Sequence, residues 1–393
     1  MVTHPVEDNA QHIEARVRLV RSMDQGGVVL SSRLAEAFLN TPRHPFVPVF
    51  YRREADTFVA WRSTDGDASA WLSQVYADDS LITEVDGLHA EDAGSGAVTG
   101  APTSSSTAPG LMADMLDALD VREGTRVLEV GTGTGYNAAL LCHLAGAENV
   151  TTVDHSAALA SMARGRLDAL GLRPDVVCED GEKGLPSRAP FDRIIATCSV
   201  RRVPPAWFDQ CATGGIMVVP LKGTLAGGML ARLKKLPDGT AAGHILHTPA
   251  AFMPLLSGAQ SPPGIPEPTG GERRESILSG SVLDDWTFSF FAQLHMGPST
   301  VREFSREQDG THVTTLFDGR DRSLARVTDT PDGPGAQVQV SGPRDLWAPV
   351  ERAHATWLAL NRPRREWFTI TAGPQGQTVA YIDPSSTVHH WTL

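Results

Sequence analysis

A short run of Val127, Leu128, Glu129 and Val130 passes directly into Gly131, Thr132, Gly133, Thr134, Gly135, Tyr136 and Asn137. About two dozen residues after Glu129 the chain reads Thr151, Thr152, Val153, Asp154, His155. Glycines at alternate positions let the backbone turn tightly off a strand and approach a ligand closely, and an acid ending the next strand can take both ribose hydroxyls. The spacing is G-x-G-x-G, whereas the dinucleotide fingerprint is G-x-G-x-x-G, and Glu129 stands just ahead of the first glycine. Both details favour S-adenosylmethionine (SAM) over NAD. The cofactor-binding residues on this reading are Glu129, Gly131, Thr132, Gly133, Gly135 and Asp154, with His155 at the adenine edge.

Other chemistry-bearing residues form weaker patterns. His244 and His247 are three apart in a Gly- and Pro-flanked segment without acidic or cysteine co-ligands, so no metal is expected. Cys142, Cys178, Cys198 and Cys211 include no C-x-x-C pair and read as reduced, mostly buried thiols of a cytosolic protein. Cys198 and Ser199 follow a central strand, where a ligand would pass, yet packing accounts for a cysteine there better than nucleophilic chemistry. Arg362, Pro363, Arg364 and Arg365 read as a solvated turn, with contact to an acidic peptide as the alternative.

A chain of 393 residues suits about two domains and can bury a substantial core. With 34 basic against 46 acidic residues and a net charge of −12, it is not built to neutralise phosphates, and no N-P-P-Y base-flipping motif occurs near the fourth strand, so no nucleic-acid partner is expected. The N-terminus is polar and acidic, and no apolar run approaches the ~18 residues of a membrane span. A cytoplasmic protein without a membrane partner is expected.

The elements that must position the glycine turn follow from periodicity. Residues 4–23 and 32–39 have helical spacing, and Pro42 and Pro45 stop the second helix. Residues 52–101 mix short aromatic segments with small and polar residues and read as a covering flap. From residue 108 strands and helices alternate: helices over 108–119, 138–145 and 157–170, strands over 126–130, 150–154, 175–178, 193–197 and 215–220. Such alternation makes a mainly parallel sheet covered on both faces, with ligands at the C-terminal strand ends. The Pro- and Gly-rich stretch 257–276 reads as a linker. Beyond it, alternating patterns at 286–294, 312–317, 323–327, 337–340, 367–371 and 378–382, with one helix at 346–360, predict an α+β unit over 277–393. That unit holds five of the eight tryptophans, Trp286, Trp347, Trp357, Trp367 and Trp391, most explained by packing and some able to line a peptide groove.

Several further segments fall in an order that resembles the protein-L-isoaspartate O-methyltransferase family. Thr41, Pro42, Arg43, His44, Pro45, Phe46, Val47 and Pro48 resemble its P-R-H-x-F-V-P segment; Tyr76, Ala77, Asp78 and Asp79 its Y-A-D segment; and Ser105, Ser106, Thr107, Ala108 and Pro109 fall where it has T-I-S-Q-P. Downstream, Asp180 and Gly181 resemble its G-D-G turn, and Phe191, Asp192, Arg193, Ile194 and Ile195 its next strand. Val203, Pro204 and Pro205, then Gly214, Gly215, Val218, Val219 and Pro220, resemble its closing strand, and Met253, Pro254 and Leu255 its terminal V-P-L. The resemblance covers roughly residues 10–256. It implies an α/β, Rossmann-like SAM-dependent methyltransferase core over 1–256, with Asp180 and Gly181 added to the cofactor site and Pro254 and Leu255 to the substrate side.

The family's catalytic serine falls here on Thr107, and its two preceding positions become Ser105 and Ser106. The resemblance thus implies Thr107 and Ser106 as catalytic and Ser105, Ser106 and Thr107 as substrate-binding residues. The chemical demand is modest, because an aspartyl or isoaspartyl carboxylate is ionised at neutral pH and is already nucleophilic. The site must orient it in line with the methyl group, which hydroxyl donors can do. The same cluster could also cap the helix starting near Pro109, and the two roles can coexist.

The C-terminal extension resembles the variants of this family associated with ribosomally made, post-translationally modified peptides, lanthipeptides especially. That resemblance implies esterification of an aspartate in a dedicated peptide, passage through a succinimide and release as isoaspartate, with the peptide as partner, SAM as cofactor and S-adenosyl-L-homocysteine as product. General isoaspartyl repair is the alternative within the same reaction class, and a non-catalytic peptide-binding scaffold the alternative of another class.

Overall fold

The computed structural model describes residues 8–28, 30–223, 225, 228–256, 265, 266, 270–297, 299–331, 333–373 and 375–393. Its largest sheet has ten strands, in the order Val388–Thr392, Gly376–Ile382, Phe368–Gly373, Ala241–Pro249, Met229–Lys235, Cys211–Leu221, Phe191–Ala196, Val127–Val130, Val150–Asp154 and Asp175–Cys178. The strands from Cys211–Leu221 to Asp175–Cys178 pair in parallel. Every pairing on the other side of Cys211–Leu221 is antiparallel. The expected mainly parallel sheet is therefore a mixed one. Its antiparallel half comes from two runs of successive strands with short connections, residues 211–249 and 368–392, in which each strand returns beside its predecessor, and the two runs meet where Ala241–Pro249 pairs with Phe368–Gly373.

Alternation along the parallel strands sends side chains to two cores. Val127, Ile195, Ile216 and Val218 join Met112, Leu116, Ala138 and Leu141 under the helices Pro109–Leu119 and Tyr136–Ala145. Leu128, Val130, Ile194, Met217 and Val219 belong to a second core that continues through Trp207 to Phe288, Trp347 and Phe368. Strands buried on both faces read as apolar runs, as 216–219 does throughout and 127–130 does apart from Glu129. Glu129 shares the face of Val127 and so points toward the helix that follows the glycine turn.

The expected flap at 52–101 is a small antiparallel sheet with one helix, Ala68–Val75. Val49–Glu54, Thr57–Arg62, Leu81–Val85 and Leu88–His89 form its path, and Pro102–Ser106 pairs with Leu81–Val85, with Leu81 opposite Ser106 and Ile82 opposite Ser105. The Ser105–Ser106 segment is thus an edge of this sheet. Val49, Tyr51, Phe58, Val85 and Ala90 give it a core of its own.

Residues 277–393 are divided between two sheets. Glu272–Ser276, Ala336–Ser341, Ser323–Asp329, His312–Asp318 and Thr300–Arg306 form a five-stranded antiparallel sheet, while the strands between Phe368 and Thr392 extend the ten-stranded one. The expected linker 257–276 lies outside the described residues at 257–264 and 267–269, and its end is the strand Glu272–Ser276, held by five register pairs to Ala336–Ser341. The strand expected at 286–294 is instead the helix Trp286–Gln293. Asp285 caps it by accepting from the N–H groups of Thr287 and Phe288, and Phe288, Phe290 and Phe291 are all buried, so burial there follows no period of two. The first helix runs Ala10–Gln25 rather than 4–23, and residues 4–7 lie outside the described residues. Among the described residues no helix is long and apolar enough to cross a membrane.

Candidate active site

The glycine turn leaves the strand Val127–Val130 and enters the helix Tyr136–Ala145 through three glycines of positive φ. Two of them are sterically required. A Cβ on Gly131, at φ +100°, would lie 2.6 Å from Thr197 Oγ1, and Gly135, at φ +89°, is the left-handed residue that opens the helix against Ala163. Asp154, only 6% exposed, accepts from Gly133 N at 2.9 Å and from Ser156 N at 3.0 Å. His155 Nδ1 stands 3.4 Å from the same carboxylate, on a half-exposed ring.

Glu129 is fully buried. It accepts from Asn137 Nδ2 at 2.8 Å and from Thr152 Oγ1 at 2.7 Å. With the Thr152 proton committed to Glu129, the 2.7 Å contact between Thr132 and Thr152 is donated by Thr132, giving a directed chain of hydroxyls into the carboxylate. Burial pushes Glu129 up to about 7, against the opposing pull of its two donors. The residue thereby ties the start of the helix to the neighbouring strand as well as facing the cavity. Asn137 Oδ1 is buried without a partner among the described residues.

Opposite the turn lies the strand Pro102–Ser106. Its alternation buries Ser104 and Ser106 and leaves Thr103 and Ser105 less covered, with Thr107 partly exposed beyond the strand end. Ser104 Oγ accepts from Thr83 at 3.2 Å, and Ser106 Oγ turns toward Arg43 at 3.5 Å. No hydrogen bond among the described residues uses the Thr107 hydroxyl. Neither is it a helix cap: the N-cap of Pro109–Leu119 is Ala108, with no side-chain capping bond, while Asp78 accepts from Gly110 N at 2.6 Å and Ser80 from Ala108 N at 3.0 Å. The capping reading of the Ser105, Ser106, Thr107 cluster is thus corrected; the Tyr76–Asp79 neighbourhood does that work.

Turn and strand enclose one cavity of about 300 Å³. Of the residues expected from sequence, Glu129, Gly131, Thr132, Gly133, Asp154, His155, Gly181, Ser105, Ser106, Thr107, Pro254 and Leu255 line it. Gly135 and Asp180 do not. Gly135 shapes the helix start, and Asp180 spends its carboxylate on Glu182 N and on Lys183 at 3.4 Å. Pro254 and Leu255 reach the cavity because Leu255 N donates to Ser199 O and Ser199 N to Met253 O, fastening that segment over the strand ends. Cys198 also lines the cavity, but burial pushes its thiol up to about 12, which removes it as a nucleophile at neutral pH. Sequence reasoning missed Ser80, Leu111, Met112, Asn137, Thr197 and Phe252 as lining residues; all but Asn137 lie outside the glycine motif, and only chain folding brings them there.

The residues fit SAM. Gly133, at φ +50°, faces the hydroxyl strand, where an added Cβ would come into ordinary contact with Ser105 O at 3.8 Å, and Asp154 stands at the strand end where a ribose is bound. A twisted α/β sheet with this turn and this acid defines a SAM-dependent methyltransferase. The family model described as "Protein-L-isoaspartate(D-aspartate) O-methyltransferase (PCMT)" matches residues 97–260. The protein-L-isoaspartate O-methyltransferase of Ignicoccus hospitalis is 34% identical over 245 residues, covering 62% of this chain and 98% of that protein. That of Methanopyrus kandleri is 34% identical over 261 residues, covering 65% of this chain and 98% of the relative. A solved structure titled protein-L-isoaspartate O-methyltransferase shares the fold with a TM-score of 0.53 at 24% identity, over 93% of this chain and 99% of that one. The chain belongs to the protein-L-isoaspartate O-methyltransferase family, and its enzyme class is that of a SAM-dependent carboxyl methyltransferase.

The remaining sequence-marked residues serve the fold. Arg365 is buried and donates to His247 O at 3.1 Å, Arg364 pairs with Glu366 at 2.7 Å, and Arg362 lies over the Trp357 ring. Trp347 and Trp357 are core residues; Trp367 is 49% exposed beside Tyr381 and Ile382.

Proposed function

We propose that this enzyme methylates a peptide aspartyl carboxylate held at Thr107, and that its substrate is an aspartate of a dedicated, modified ribosomal peptide of lanthipeptide type. The observation that supports the site assignment is that Gly133 of the turn faces Ser104 and Ser105 of the strand in one cavity, which would give a methyl donor and its acceptor a common site. Bound there, SAM supplies an electrophilic methyl on a sulfonium. Asp154 and the open glycine turn hold the cofactor, and Thr107 donates to one carboxylate oxygen so that the other is aimed at the methyl group. No lysine or arginine lines the cavity among the described residues, so the acceptor is oriented by neutral hydroxyls, and no base is needed for a group already ionised. The ester carries a better leaving group than the carboxylate; attack by the next backbone nitrogen expels methanol and forms a succinimide, whose hydrolysis yields a mixture containing isoaspartate. The reaction would take place in the cytoplasm.

The dedicated-substrate reading is supported by the part of the chain that the 34%-identical relatives do not cover, and by the exposed Trp367. General repair of isoaspartyl proteins is the second reading. It is favoured by the solved structure bearing that title, whose fold spans nearly all of this chain, extension included. Mass spectrometry with SAM separates the two. Turnover of the modified precursor peptide from its genomic neighbourhood, seen as a gained methyl or a lost water, with a generic isoaspartyl peptide untouched, is the expected result. Efficient methylation of unrelated isoaspartyl peptides would sink the dedicated reading.

A further inference from the structure

Arg43 is completely buried, yet among the described residues no carboxylate binds it. Its Nη1 donates to Val75 O and Ala77 O, each at 3.0 Å, and its Nη2 to Asp79 O at 2.9 Å, Ser106 O at 3.2 Å and Thr107 O at 3.1 Å. Burial lowers it to about 10, still charged at neutral pH. A guanidinium is a rigid planar fork, so carbonyls bound to it are fixed in position relative to one another. One of its sides grips the turn after the helix Ala68–Val75; the other grips the strand end that bears the acceptor hydroxyls. The same turn returns the grip through Ser80, which accepts from Ala108 N at 3.0 Å, and through Asp78. The backbone of Thr107 is held on both sides while its hydroxyl stays uncommitted. None of these groups belongs to the glycine turn or to Asp154.

We propose that Arg43 is the positioning residue of the acceptor side, setting the segment Ser105, Ser106, Thr107 against the methyl donor without contributing to cofactor binding. This rests on the proposed acceptor role of that segment. Lysine retains the charge but offers one point of attachment, so it cannot hold both walls of the clamp.

The test compares R43K and S80A with the parent enzyme and with T107A, measuring SAM affinity by calorimetry and kcat and KM on a peptide the parent methylates. Because displacement of a reacting group by about 1 Å costs on the order of 100-fold in rate, R43K is expected to lose about that much in kcat while SAM affinity stays within about threefold. S80A, at an exposed residue whose loss the fold should tolerate, is expected to lose several-fold in kcat with the same unchanged SAM affinity. Unchanged kcat in R43K, or SAM affinity falling in step with kcat, would overturn the proposal. Should R43K fail to fold, S80A decides: unchanged kcat overturns the clamp, a selective kcat loss supports it. If R43K loses kcat selectively and T107A does not, the clamp stands and the role of Thr107 itself falls.

Discussion

The guanidinium of Arg43 donates to the carbonyl of Thr107 at 3.1 Å across 64 residues of sequence, and among the described residues the Thr107 hydroxyl has no hydrogen bond in the cavity it lines with the glycine turn. A threonine in place of serine keeps the donor and adds a methyl group that restricts χ1. T107S should therefore retain at least a large fraction of turnover. T107A should lower kcat by about 10- to 100-fold, the scale of one positioned donor, with SAM affinity unaltered. Steady-state kinetics on a methylated peptide checks both, and full activity in T107A would remove the residue from the mechanism.

Asp154 is the reverse case. Its carboxylate accepts from Gly133 N and Ser156 N, so it both shapes the glycine turn and stands at the ribose position. Hydrogen bonds to a charged group contribute about 1.5–3 kcal/mol, so D154A should weaken SAM about 10- to 100-fold by calorimetry. At saturating SAM its kcat should be far less affected. A kcat loss without weaker SAM binding would contradict the assignment.

Glu129 makes the pH dependence of stability readable. Its folded value, about 7, lies above the ordinary 4.5, so between those values the native state holds a proton that the unfolded chain has released. The stability from this group is complete below about pH 4.5 and is lost as pH rises through about 7, with a slope of up to ~1.4 kcal/mol per pH unit. E129Q cannot titrate. The stability difference between parent and E129Q, measured by denaturant unfolding at a series of pH values, should therefore shift in favour of E129Q as pH rises across that window. A difference independent of pH would mean that Glu129 is ionised throughout.

The parallel half of the sheet and the cofactor turn were legible because each residue's role there is local. Glycines, the acid after the next strand and apolar runs of four or five residues carry their meaning within one strand–turn–helix unit. The helix Trp286–Gln293 was misread because Phe288, Phe290 and Phe291 are buried together, which leaves neither a period of two nor a clean helical stripe. The strands Met229–Lys235 and Ala241–Pro249 were not anticipated, and the pairing of Ala241–Pro249 with Phe368–Gly373 joins residues more than a hundred positions apart. On the acceptor side the segments were visible as motifs, but the clamp was not: nothing in the spacing of Arg43, Ser80 and Thr107 shows that one guanidinium satisfies five carbonyls.

Arg166 joins the two halves of the site in a second way. From the helix Ala157–Ala169 it donates through Nη1 to Thr134 O of the glycine turn at 3.3 Å and through Nη2 to Glu91, in the turn that follows the strand Leu88–His89 of the small sheet. Its side chain is 11% exposed and that of Glu91 33%, so the pair is partly shielded from solvent. Removing Glu91 leaves the arginine unpaired but keeps its bond to Thr134, whereas removing Arg166 frees both. R166A should therefore weaken SAM by several-fold, and E91A should not. In stability the two changes should be non-additive by ~0.5–3 kcal/mol, as for residues in direct contact, because the double variant leaves no stranded charge. Thermal unfolding of the four proteins, with calorimetric SAM titrations alongside, tests this. Additive losses, or equal SAM affinities in R166A and E91A, would show that the small sheet and the cofactor turn are not coupled through this pair.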